Sequence, residues 1–163
     1  MAKSHIIEFP DKHGKKHNDA LGFSPAQILN SLITVSNIVT SELDAFFTPY
    51  ELTYARWQVL VLFSKNGNKG RPSYIAEKQN ITRATTTGLI IGLEKDGFVT
   101  RGPCKKDGRQ ICVTLTAKSK KALKDIAPLY SQKINEILSC LTQNDTEALK
   151  DVLSKVILKN AVV

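Results

Sequence analysis

Between Gln79 and Thr116 the hydrophobic period of the chain switches from helical to alternating within one stretch, QNITRATTTGLIIGLEKDGFVTRGPCKKDGRQICVTLT. In its first half Thr86, Leu89, Ile90 and Leu93 recur at helical spacing up to a stop at Gly97. Thr82 stands where a hydroxyl can cap that helix. Asn80, just before it, is a residue type that tolerates the left-handed backbone of a tight turn between two helices. In the second half FVTR and QICVTL are short β-rich runs separated by GPCKKDGR, whose Pro103 and Gly108 favour a turn. The stretch therefore predicts a helix-turn-helix followed by a basic hairpin, or wing. A helix beside a cationic loop matches a wide anionic groove flanked by a narrower one, the shape of double-stranded DNA.

Charge placement supports an anionic partner. The 163 residues carry a formal net charge of +8, and Lys65 to Lys124 hold 14 basic against 4 acidic residues, +10, while the remainder holds 9 against 11, −2. A surface that merely solvates its charges would spread them more evenly. No apolar run approaches the ~18 residues of a membrane span, and the N-terminus lacks a signal peptide's apolar stretch, so a cytoplasmic location without membrane contact is expected. Three cysteines, Cys104, Cys112 and Cys140, have neither the density of a disulfide scaffold nor the spacing of a zinc site. They are expected to be free thiols, with Cys112 and Cys140 acting as small apolar residues.

The remaining chain frames this module with helices. Residues 1–23 are polar and aperiodic and read as a loose arm; His13 and His17, four apart, lack further ligands, so neither a metal nor a cofactor is expected. Ser24 followed by Pro25 signals a helix start, with Ile28, Leu32, Val35, Val39, Leu43 and Phe46 on one stripe to about Phe47. Thr53 opens a second helix, ended by NGNKGRP, and Ser73 a third. From Ala117 a long helix should kink at Pro128, and a last one starts at Thr142 with Leu149, Val152, Leu153, Val156 and Ile157 on one face. The expected fold is mainly α with a small β-hairpin wing: residues 51–116 form the winged helix-turn-helix, and 24–50 with 117–163 a helical dimerisation region. The apolar surplus of those end helices points to a homodimer.

Three segments resemble the MarR (multiple antibiotic resistance regulator) family of winged helix-turn-helix regulators: LTYARWQVL from Leu52, YIAEKQNITRATTTGLIIGLEKDGFVTR from Tyr74, and DGRQICVTLT from Asp107. The resemblance spans roughly Ser24 to Lys159, and its most specific part is the wing, where Asp107, Arg109, Leu115 and Thr116 keep the family spacing. It implies a dimeric repressor whose helix from Thr82 enters the major groove of a pseudo-palindromic operator while Arg109 enters the minor groove, oriented by Asp107. Independent physics supports these roles. A helix N-terminus attracts phosphate, Thr82, Arg83, Thr85 and Thr87 can reach phosphates or base edges, and Lys105 and Lys106 suit adjacent phosphates. Gly88, Ile91 and Gly92 depart from the charged face common in the family, and each helical glycine costs about 1 kcal/mol in propensity.

Relatives of this type often take small aromatic ligands between the dimer helices and the DNA module. Phe46, Phe47, Tyr50, Tyr54, Arg56 and Trp57 are the candidate lining, since aromatic faces with one cation suit an organic anion. Cys104, flanked by Lys105 and Lys106, is the candidate redox-sensing thiol, because those cations favour thiolate. The alternative readings are a winged-helix adaptor for a protein partner or RNA and a thiol-based redox regulator. An enzyme is not expected: the chain has no P-loop, HExxH or CxxC motif, and its three histidines lie in the arm.

Overall fold

The computed structural model describes residues 24–104 and 107–160. Helix α1 (Pro25–Phe47) begins at Ser24, whose Oγ accepts from the Gln27 N–H while the Gln27 side chain accepts from the Ser24 N–H, a reciprocal cap. A 3-10 turn, Thr48–Tyr50, leads to α2 (Tyr54–Lys65), where Thr53 Oγ1 accepts from the Arg56 N–H. Strand β1 (Lys69–Gly70) precedes α3 (Pro72–Gln79), and Asn80 then takes φ 51° and ψ 45°, the left-handed turn expected of it. Helix α4 (Arg83–Lys95) is capped by Thr82, and β2 (Val99–Cys104) and β3 (Asp107–Leu115) make the wing. Helices α5 (Ala117–Ile137) and α6 (Gln143–Asn160) complete the chain.

Three details differ from the sequence reading. The run NGNKGRP contains strand β1, which pairs antiparallel with β3 (Lys69 opposite Thr114, Gly70 opposite Val113) to give the sheet order β1-β3-β2. Its partner lies over forty residues away, so no local pattern announces it. Helix α3 starts at Pro72 rather than Ser73, because proline at the first helical position needs no N–H partner. The wing strands also extend into GPCKKDGR, reaching Cys104 on one side and starting at Asp107 on the other.

The expectation of three free thiols is corrected for two of them. Cys104 and Cys112 form a disulfide across the wing, with Cα atoms 4.9 Å apart; Cys140 is free and exposed. The register explains the proximity. Cys112 lies opposite Gly102, and a shift after Pro103 places Cys104 opposite Asp107, so the two cysteines share one face of the hairpin on a diagonal.

The core lies inside the middle module. Trp57, Leu60 and Phe63 of α2, Ile75 of α3, Ile90 and Leu93 of α4, Phe98, and Val113 of β3 are buried together, joined by Phe47 from α1 and Ile126 from α5. The outer helices share little of it. Ile28, Leu29, Leu32, Ile33, Val35 and Ile38 of α1 are exposed, as is every residue of α6 from Gln143 to Lys159. Pro128 lies inside α5, which is one helix from Ala117 to Ile137.

Candidate nucleic-acid interface

The start of α4 is organised by threonines. Thr82 Oγ1 accepts from the Thr85 N–H at 3.1 Å and is paired with Thr85 Oγ1 at 2.9 Å; Thr87 Oγ1 donates to Arg83 O at 2.8 Å. Thr86 points inward, fully buried, and donates to Thr82 O. Thr82, Arg83, Thr85 and Thr87 are exposed. The threonine hydroxyls hold the first turn together, and Arg83 is a long cation on the same exposed stretch.

The wing comes close to this helix start. Arg71, Pro72, Ser73, Arg83, Thr86, Thr87, Arg109, Gln110 and Ile111 surround one groove of about 480 Å³, bringing Arg83 of α4 and Arg109 of β3 to the same concavity. Arg71 Nη1 donates to Gln110 Oε1 at 2.8 Å and ties the start of α3 to the wing. Sequence reasoning missed Arg71, since its relevance arises only when β1 and β3 pair. Lys105 and Lys106 lie outside the described residues, as does the 1–23 arm with His13 and His17; of Asp107 only the backbone place in β3 is described.

Behind α4 two ion pairs fix the module. Glu94 accepts from Arg101 Nε at 2.7 Å, and that hydrogen bond holds its carboxyl below the usual range. Arg56 Nη1 meets Asp96 Oδ2 at 2.7 Å, and its guanidinium crosses so close to Gly92 that a Cβ there would collide with it. A side chain at 92 would have to push the end of Arg56 aside. Gly88 has open space beyond it, and nothing in the structure explains it.

The six aromatic-pocket candidates divide into core and rim. Phe47 and Trp57 are 0% and 2% exposed with rings 5.1 Å apart, so they are core; Phe46, Tyr50 and Tyr54 are half-buried around them. Arg56 is committed to Asp96. A hollow of about 390 Å³ opens next to this cluster between Tyr54, Trp57, Gln58, Val61, Leu62, Lys78, Gln79 and Tyr130. Burial, followed by a hydrogen bond with Tyr54, pushes the Tyr130 hydroxyl well above its ordinary value, so it stays protonated. Gln79 Nε2 is buried without a hydrogen-bond partner among the described residues. Tyr130 and Gln79 were missed in the sequence because they reach the hollow from α5 and α3.

Residues 52–111, which hold α2 to the wing, match the model of the MarR family. That match marks the segment from α2 to the wing as MarR-like. Beyond the MarR segment, the chain is 29% identical over 161 residues to the HTH-type transcriptional repressor YetL of Bacillus subtilis, covering 96% of this chain and 93% of the relative. It is 26% identical over 159 residues to the HTH-type transcriptional regulator PrsX of Escherichia coli, covering 97% and 95%. The described residues share the fold of MarR winged-helix proteins. AbsC, a MarR family transcriptional regulator from Streptomyces coelicolor, superimposes with a TM-score of 0.75 at 19% identity, over 84% of this chain and 95% of that one. A mutant MarR of E. coli in complex with operator DNA gives 0.73 at 23% identity, over 80% and 94%.

Proposed function

We propose that this chain is a dimeric, sequence-specific DNA-binding transcription regulator, acting as a repressor that a small aromatic anion releases. The observation that carries the reading is the single groove in which Arg83 of the recognition helix and Arg109 of the wing meet. A duplex would place the start of α4 in its major groove and Arg109 in the adjacent minor groove, where a narrow, strongly negative channel favours Arg. Relatives crystallised with DNA on the same fold and a relative named as a repressor support this assignment.

The exposed apolar faces of α1 and α6 support the dimer. They carry Ile33, Val35, Val152, Val156 and Ile157 at 47–64% exposure, a surface that a second copy would cover. The hollow beside Tyr130 supports the ligand. Its aromatic walls suit a ring, while Lys78 and the unpartnered Gln79 amide suit an acceptor such as a carboxylate. Such a compound would act by preferring a spacing of the two reading heads that misfits the operator.

Selection of bound duplexes from a random pool tests the proposal. The expected product is a pseudo-palindrome whose half-sites lie about 34 Å apart. Affinity should fall by a factor on the order of 10³ to 10⁵ between about 50 and 200 mM salt if about 6 to 10 phosphates are neutralised. Arg109→Ala should weaken the selected site by about 1–3 kcal/mol. An adaptor for RNA or a protein draws on Gly88 and the exposed Ile91 and Ile111, and it would leave no discrete footprint.

A further inference from the structure

The wing is closed by a covalent bond whose sulfurs border a cavity. Cys104 and Cys112, with Lys69, Gly70, Arg71, Tyr74 and others, line a space of about 680 Å³ between the hairpin, β1 and α3. Both cysteines are only half-buried, and Lys69 and Arg71 place positive charge in the same lining. Cys104 adjoins Lys105 and Lys106 in sequence. Cations near a thiol favour thiolate, the form that reacts with peroxides and disulfides. A bond between strands of one hairpin, open to a cationic cavity, has the attributes of a reactive pair rather than of a buried staple.

We propose that Cys104 and Cys112 are a reversible redox site of the wing, closed by hydroperoxides and reopened by low-molecular-weight thiols that enter through this cavity. In closure, the Cys104 thiolate attacks the peroxide oxygen, the O–O bond breaks, and a sulfenic acid forms as an alcohol or water leaves. The Cys112 thiol then displaces hydroxide from that sulfur, forming the S–S bond and a molecule of water. Two thiols are oxidised and one peroxide is reduced. In reopening, an external thiolate attacks one sulfur and expels the other as thiolate; a second thiol resolves the mixed disulfide, and the two reductant molecules leave as their own disulfide.

The bonded form is the tighter binder. The bond holds the register shift after Pro103, and with it the start of β3 that contains Arg109. Opening the bond frees that segment, which must then be ordered again on binding, at a cost that lowers affinity roughly tenfold. This consequence rests on the duplex-binding reading above; the chemistry of the pair does not.

The test uses the full chain with Cys140→Ser, so that only the pair responds. After hydrogen peroxide the two cysteines should resist alkylation, and glutathione should restore alkylation at both. Hydrogen exchange across residues 99–115 should be slower in the bonded form, and the selected duplex should bind it roughly tenfold more tightly. Cys104→Ser with Cys112→Ser should abolish every redox difference, and Cys104→Ala with Cys112→Ala serves if serine unfolds the hairpin. The proposal is overturned if the pair alkylates fully after peroxide, or if both forms show the same exchange and the same affinity. Loss of duplex binding in both forms would count against the regulator reading, and the alkylation and exchange results would then decide the redox site alone.

Discussion

Gly88 and Gly92 stand about one turn apart on α4, and only one of them meets a neighbour. Alanine at 88 enters open space and should stabilise the protein by about 1 kcal/mol through helix propensity. Alanine at 92 has the same propensity gain but displaces the Arg56 guanidinium from Asp96, a half-exposed pair worth about 0–1 kcal/mol. Urea denaturation should therefore show Gly88→Ala as the more stabilising change, with the difference gone in an Arg56→Ala background. Equal gains in the native background would show that Arg56 does not constrain position 92. At Tyr130 the folded-state value is raised, so its contribution is complete below the ordinary tyrosine value of 10.0 and is lost as pH rises through the higher folded value. Alkaline destabilisation should accordingly be milder in Tyr130→Phe than in the native chain, read from the denaturation midpoint at each pH.

At the scale of elements, α6 is held at its start by Thr142 and Asp145. Thr142 N–H donates to Asp145 Oδ2 at 2.9 Å while Asp145 N–H donates to Thr142 Oγ1 at 3.2 Å, and those bonds from Thr142 lower the carboxyl below its ordinary 3.8. A depressed value means that the stabilisation is present above pH 3.8 and is lost as pH falls through the folded value. Helicity measured by circular dichroism should decline over that window, and Asp145→Asn should flatten the decline. Caps of this kind were legible in the sequence: Ser24, Thr53 and Thr82 all mark helix starts, and Asn80 marks the turn, because each signal lies within four residues of what it controls. Strand β1, the Arg71 tie to Gln110 and the Cys104–Cys112 bond were not legible. Each depends on a hairpin register or a pairing of distant segments that the local alternation of residues does not encode. The aromatic candidates were half legible for the same reason: periodicity placed Trp57 on α2, but whether a face is core or rim is decided by α5.

For the whole molecule, the proposed dimer through the exposed apolar faces of α1 and α6 would make stability depend on concentration. Dilution should then lower the thermal midpoint, since a second copy would bind only the folded form. Val152→Glu with Ile33→Glu should give a single-copy species by sedimentation while the near-ultraviolet signal of buried Trp57 persists; an unchanged sedimentation coefficient would place the interface elsewhere. The junction between wing and helix carries a further consequence. Strand β3 ends at Leu115 and α5 begins at Ala117, with Thr116 Oγ1 bonded to Gly97 O and Phe98 O and capping the Ser119 N–H. Ser119 Oγ also bonds Phe98 O, while Lys118 Nζ reaches Glu51 and Asp96 O and lies 4.3 Å from the Phe98 ring centroid. With no slack at that joint, any tilt of α5 is delivered to Arg109 as displacement at the far end of a stiff lever.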